Sequence, residues 1–286
     1  MTVVDTTPAA PTTPALRHRR YLMCLPTFFD VTYAINPWMH PGTHVDTDLA
    51  ITQWEGLRQT YLDLGHEVQT IEPIAGLPDM VFAANGGLVI GDRAFTAKFV
   101  FPERQPEGAA YAEWFRRAGI ADVFEAEHTN EGEGDFLTLS DRILAGTGFR
   151  TSIAAHEEVG RLMDRPVVPL KLVDPRFYHL DTALAVLDDG TGTGPSRIAY
   201  FPGAFSRASQ VTLQQMFPDA IAVSEVDACT FGLNAVSDGH YVVLPATATH
   251  FAARLRDAGF EPIPVQLGEL LKAGGSVKCC TLELRP

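Results

Sequence analysis

The chain carries four cysteines in 286 residues, with no CxxC pair and no His/Cys cluster at zinc-ligand spacing. Two of the four are adjacent, Cys279 and Cys280. That pattern excludes a secreted disulfide framework and gives no reason to invoke a structural metal. Long hydrophobic runs are missing too. No stretch reaches the roughly 20 apolar residues that span a bilayer, and the N-terminus lacks a signal-peptide core. Positive charge is scarce: 22 Lys and Arg stand against 35 Asp and Glu, a net charge of −13. So acidic a surface repels polyanions, which excludes nucleic acid and an anionic membrane as partners. The expectation is a cytoplasmic protein that acts on small molecules without metal or cofactor.

Apolar residues make up 46% and charged residues 20%, a composition that folds. The length suits one closed domain. Residues 1–19, rich in Thr, Pro and Ala, read as a tail without sustained period, and residues 20–286 as a single catalytic domain. Beyond Tyr21 one pattern recurs. Helix-period segments at Asp46–Leu64, Gly108–Ala118, Thr151–Met163, Arg207–Met216 and Thr247–Ala258 are each followed by a short strand. A polar junction and an apolar hairpin come next. Five such copies, at periods of roughly 45–55 residues, predict an α/β repeat architecture.

The last copy, CCTLEL, lacks its second hairpin strand, while the first strand, YLMCLP, has no helix before it. Pairing these two ends satisfies both edges. The expectation is therefore a closed five-bladed α/β propeller of ββαβ-type repeats, with an ordinary three-layer α/β domain as the alternative.

In such a ring the start of each hairpin faces the axis. The residues there are Asp79 and Asn85 (PDMVFAAN), Glu131, Glu133 and Asp135 (EGEGD), His179 and Asp181 (YHLDT), Asn234, and Cys279 (GGSVKCCT). A thiol near an imidazole is a nucleophile whose pKa the imidazolium lowers. Surplus carboxylates in a closed site repel each other unless a cation sits among them. Guanidinium, a planar fork of donors, meets carboxylates two at a time. The set therefore suits covalent attack on the central carbon of a guanidinium group.

PDMVFAAN, FPERQPE, EGEGD with FRT after it, FYHLDT and GGSVKCCT, in that order, resemble the motifs of the guanidino-group modifying enzymes, from about Tyr21 to Leu284. That family includes dimethylarginine dimethylaminohydrolases, arginine deiminases, arginine dihydrolases and amidinotransferases, and its fold is the five-bladed propeller called a pentein. The resemblance implies Cys279 as nucleophile, flanked by Lys278 and Thr281, with Cys280 as a wall residue. It implies His179 as general acid/base, and Arg104 and Arg150 as ligands of the substrate α-carboxylate. Asp79 is implied near the guanidinium or its amine end, and Asp181 as a guanidinium ligand of the arginine deiminase branch. Relatives carry EGGD or DGGD where this chain has Glu131-Gly-Glu133-Gly-Asp135; Glu131 is the expected catalytic carboxylate and Glu133 the second candidate. Asn85 replaces the usual Asp. A neutral amide suits a ureido group and resembles the arginine dihydrolase branch, as does Asn36 in YAINPWM.

Plain structural readings stand beside these. Arg104, near Glu103 and Glu107, could form a surface ion pair, and Arg150 could be an end charge before a helix. Asn234 is expected to satisfy local backbone groups. Cys24 and Cys229 read as core, His240 and His250 as surface. The expected activity is hydrolysis of free arginine or a close relative to citrulline or ornithine plus ammonia. The alternatives are dimethylarginine hydrolysis, amidino transfer and, in another class, a non-catalytic ribosome-binding pentein. The loop over residues 29–45 sets access, and the oligomeric state is open, a homo-oligomer included.

Overall fold

The computed structural model describes residues 17–192 and 194–286. Its fold is mixed α/β, and the local reason is visible in each repeat. The longest helix, Thr47–Asp63, starts where Asp46 accepts a hydrogen bond from the Leu49 amide, and it buries Ala50, Trp54, Leu57 and Tyr61 along one face. Ile153–Met163 starts in the same way at Ser152, and Arg207–Met216 at Ser206. The helix expected from Gly108 begins earlier, as Gln105–Arg117, because Pro106 is pre-set for a first helical turn. Gly108 is needed inside it, since a Cβ there would lie 2.6 Å from the Ala97 carbonyl oxygen. The fifth long helix is Thr249–Asp257.

The strands fall into trios with one pairing rule among the described residues. The first two strands are antiparallel, and the second runs parallel to the third, which follows the helix. Gly87–Ile90, Arg93–Thr96 and Asp122–Phe124 form one trio. Phe136–Thr138, Ile143–Thr147 and Val167–Lys171 form the next. Leu184–Asp188, Arg197–Tyr200 and Ile221–Ala222 follow, then Val236–Ser237, Tyr241–Pro245 and Glu261–Val265.

The remaining trio joins the two ends of the chain. Leu282–Arg285 pairs antiparallel with Arg20–Cys24 (Tyr21 opposite Glu283, Leu22 opposite Leu282), and Arg20–Cys24 runs parallel to Glu67–Ile71. Leu284 and Arg285 also pair with Val89 and Ile90, so two trios merge into a six-stranded sheet. Apolar clusters fill the space between helices and sheets. Among the described residues, no helix is long and apolar enough to cross a membrane.

Residues 1–16 of the expected tail lie outside the described residues, but its C-terminal end does not behave as a tail. Arg17 pairs with Asp188 and Asp189, and buried Arg19 pairs with Asp189 and Glu283. Two other expectations change. Cys229 is only half-buried, with its Sγ 3.4 Å from Arg176 Nη1, and His240 is half-buried instead of exposed.

Candidate active site

The polar junctions are short helical turns. Asp79 sits in Pro78–Val81, Asn85 in Ala83–Gly86, Glu133 in Gly132–Gly134 and Asp181 in Leu180–Ala183. Each turn breaks the chain between an incoming loop and the first strand of a trio, which leaves its side chains free to point off the sheet. Asp79, Asn85, Glu131, Glu133, Asp135, His179, Asp181, Asn234 and Cys279 are all at most 2% exposed. Groups this polar stay buried only when paired, so their partners define the site.

Cys279 and His179 are linked through Asp181. The Cys279 thiol donates toward Asp181 Oδ2 at 3.4 Å, and Asp181 lies two residues beyond His179 on the same turn. His179 Nε2 is 2.7 Å from Glu131 Oε2. Its Nδ1 has no hydrogen-bond partner among the described residues. The close approach of the imidazole depends on Gly134, where a Cβ would meet Asn85 Nδ2 at 2.3 Å and the His179 ring at 3.3 Å.

Burial alone would raise the Glu131 pKa, but the Arg150 guanidinium, followed by the His179 hydrogen bond, holds it well below the usual carboxylate range. Arg150 Nη1 reaches both Glu131 oxygens, at 3.1 and 2.9 Å, and Nη2 donates to the Ile35 carbonyl at 2.6 Å. Its guanidinium also stacks on Phe101 and Tyr178. Burial pushes Asp181 up to about 6, against the pull of His179 and Lys278. The Cys279 thiol lies well above its ordinary value, through burial and then the neighbouring Asp181 charge. Both effects disfavour the thiolate.

Glu131 and Glu133 face different surroundings, which separates the two candidates. Only Glu131 contacts His179. Glu133 turns away, accepting from Lys278 Nζ at 2.6 Å and from the Glu283 amide at 2.9 Å. The expectation that Glu133 binds substrate is corrected on that ground. Asp135 supports the site from outside, accepting from Thr151 Oγ1 and from the Leu180 amide.

Arg104 and Glu107 do form the expected ion pair, but it is buried, not at the surface. Arg104 Nε and Nη2 grip the Glu107 carboxylate at 2.9 and 2.7 Å, Nη1 donates to Asn85 Oδ1 at 2.9 Å, and Nη2 also reaches the Asp79 carbonyl at 3.2 Å. Four of the five guanidinium hydrogens of Arg104 are thereby engaged. Arg150 keeps its Nε hydrogen without a protein acceptor among the described residues.

Asn85 uses its Oδ1 on Arg104 and donates from Nδ2 to the Glu131 carbonyl at 3.3 Å. Asn36 likewise uses its amide within the fold, on the Ala273 carbonyl and the Trp38 amide. Asp79 accepts from Tyr33 at 3.0 Å while its Oδ1 has no partner. Burial raises its pKa, opposed by Arg104.

Asn234 is the residue whose reading changes most. Its Oδ1 accepts from the Cys279 amide and its Nδ2 donates to Cys279 Sγ, each at 3.1 Å. An Asn in a turn has the same sequence signature as a local backbone cap, so only its position among the junctions hinted at this. Glu107 could have been found from its three-residue spacing to Arg104 on a helix start. Tyr33 has no such signal. The segment holding it lies over the site, tied down by Tyr33 to Asp79, by Ile35 to Arg150 and by Trp38 Nε1 to the Arg176 carbonyl at 2.8 Å.

A cysteine, a histidine paired to a carboxylate and further buried carboxylates, on a mixed α/β frame of repeated trios, define the class of guanidino-group modifying enzymes. Comparison with known proteins narrows this. No family model matches the chain. It is 59% identical over 270 residues to a dimethylarginine dimethylaminohydrolase of Mycobacterium tuberculosis, covering 94% of this chain and 87% of that one. It is 37% identical over 272 residues to the bifunctional arginine dihydrolase/ornithine cyclodeaminase ArgZ of Synechocystis, covering 93% of this chain and 37% of that protein. The crystal structure of the N-terminal domain of ArgZ, a cyanobacterial arginine dihydrolase, bound to substrate superposes with a TM-score of 0.88 at 36% identity, covering 93% of this chain and 98% of that domain. The chain belongs to the family of dimethylarginine dimethylaminohydrolases and arginine dihydrolases.

Proposed function

We propose that the protein hydrolyses the guanidinium group of free arginine or a close relative through a covalent intermediate on Cys279. The observation that carries this reading is the buried Glu131–His179 pair beside a thiol held between Asn234 and Asp181. Family membership supports it independently. We also propose that the five trios close into a five-bladed α/β propeller. The repeated pairing rule and the union of the chain ends at Tyr21 and Glu283 support that closure.

The substrate cation enters among Asp181, Glu131 and Asp79, where carboxylates orient its donors. Arg150, with a free donor, and Arg104, after exchanging an acceptor, take the α-carboxylate. A cation beside Cys279 offsets the charge of Asp181 and favours the thiolate. Sulfur attacks the central carbon, and His179 delivers the thiol proton to the departing ammonia. The product of this step is a thiouronium on sulfur. His179 then takes a proton from water as its oxygen attacks the same carbon. The C–S bond breaks, the thiol is restored, and a ureido product leaves. Glu131 holds the imidazolium that forms in between.

Asn85 favours a second cycle, in which the ureido group is hydrolysed to ornithine, ammonia and carbon dioxide. Dimethylarginine hydrolysis to citrulline and dimethylamine is the second reading, supported by the name of the 59% identical relative. Incubation with arginine and with dimethylarginine, followed by quantification of citrulline, ornithine, ammonia and dimethylamine, separates them. Arginine consumption with ornithine formation is expected. If neither guanidine is consumed, the reading fails.

A further inference from the structure

A small cavity with a mixed apolar and charged lining adjoins the Cys279 turn through Lys278 and Thr281. Its walls include Arg19, Glu133, Asp189, Lys278, Glu283 and Arg285. Neither Cys279 nor His179 lines it. Two of the wall residues are chain neighbours of the reactive groups: Lys278 precedes Cys279, and Glu133 follows Glu131 by two.

Their contacts lock the turn that presents the sulfur. Lys278 Nζ donates to Glu133 Oε2 at 2.6 Å and to the Thr281 carbonyl at 2.9 Å. The same Glu133 oxygen accepts the Glu283 amide, so one carboxylate grips both ends of the segment from Lys278 to Glu283. Arg285 Nε lies 3.8 Å from its other oxygen. The extra residue in Glu131-Gly-Glu133-Gly-Asp135 thus feeds a carboxylate to the rear of the nucleophile turn instead of to the site.

We propose that Lys278 and Glu133 are positioning residues: their ion pair fixes the Cys279 turn from behind. This deepens the proposed function and rests on it. Burial raises Asp181 first, and the positive charges of His179 and Lys278 oppose it, Lys278 being the one of the two that does not shuttle protons. Its field opposes the burial that raises Asp181. Glu133, in turn, holds the ammonium at the cavity wall.

The test uses the full chain with K278M, K278R, E133Q and the double variant K278M/E133Q. K278M is expected to lower kcat on arginine about tenfold or more, because small misplacement of a nucleophile is costly. KM should stay within about threefold of wild type on the same ground. The acidic limb of kcat/KM should move to higher pH. K278R should restore the limb, and E133Q should fall between. The double variant should lose no more than K278M alone, since the two residues act as one unit. Wild-type kcat and an unmoved limb in K278M would overturn the proposal. If K278M does not fold, the double variant, which leaves no lone buried charge, carries the same test. If the wild-type enzyme consumes no guanidine, the proposed function has failed. The rate and pH dependence of Cys279 alkylation then decide: a change in K278M that K278R reverses supports positioning, and no change overturns it.

Discussion

Asn234 holds Cys279 at two points, taking the backbone N–H on Oδ1 and giving an Nδ2 hydrogen to the sulfur, both at 3.1 Å. The second contact places a donor where negative charge develops on sulfur, and the first fixes the backbone that carries it. Asn234→Ala removes both. Stability should fall by about 1–3 kcal/mol, because a buried amide is left without an acceptor. kcat on arginine should fall further than the melting temperature would suggest, by about a hundredfold. Equal kcat in the variant and wild type would remove Asn234 from the site.

Asp181 titrates where its effects can be followed. Its folded value of about 6 lies above the ordinary 3.8, through burial first. Only the ionised form pairs with a guanidinium, so kcat/KM should rise with pH along a limb near 6. Stability has the opposite slope. Between the two values the folded protein holds a proton that the unfolded chain has released, so this group's contribution, complete below the unfolded value, is lost as pH rises through the folded one. Asp181→Asn should abolish the limb, lower kcat/KM by about 30-fold or more and flatten the pH dependence of urea midpoints in that window. A limb that persists in Asp181→Asn assigns it to another group.

Arg150 and Glu131 are a buried pair, and removing one member strands the other. Arg150→Met should cost about 3–5 kcal/mol in denaturant unfolding. It also releases Glu131 from the cation that holds its pKa down. Arg150→Lys keeps the charge but loses the planar stacking on Phe101 and Tyr178 and part of the fork to Glu131 and Ile35. Its KM for arginine should rise by about tenfold or more. An Arg150→Lys enzyme with wild-type KM would argue against a substrate contact.

The N-terminal strand should be as necessary as any central one. Arg20–Cys24 sits between Leu282–Arg285 and Glu67–Ile71 and buries Tyr21, Leu22, Met23 and Cys24. Deleting residues 1–24 exposes two strand edges and uncovers the core beside Cys279. The truncated chain should show no cooperative unfolding transition in circular dichroism. A cooperative transition near that of the intact protein would mean that the ends do not join the sheet system.

The chemistry-bearing residues were legible in the sequence because each precedes the first strand of a trio. The turn type changes at these points and polar residues interrupt apolar runs. Helix positions were legible from periodicity, within the few residues that caps and prolines shift. What each polar residue touches was not legible. EGEGD names two glutamates with the same chemistry. A single extra residue turns one toward His179 and the other toward Lys278, and no local rule selects between them. Arg104 read as a ligand of the substrate carboxylate, with a surface pair to Glu107 as the plain alternative, because spacing reveals partners and says nothing of burial.

The sequence by itself determined the repeat, its period and the identity of the groups placed at the junctions, since these follow from local alternation, helix periodicity and turn chemistry. The tertiary structure alone decided which junctions meet. It set Glu131 against His179 and Glu133 against Lys278, recruited Asn234 to the sulfur and raised the Asp181 and Cys279 pKa values. Those outcomes depend on desolvation and on contacts between residues 45 to 145 positions apart, and such contacts exist only after the trios have packed.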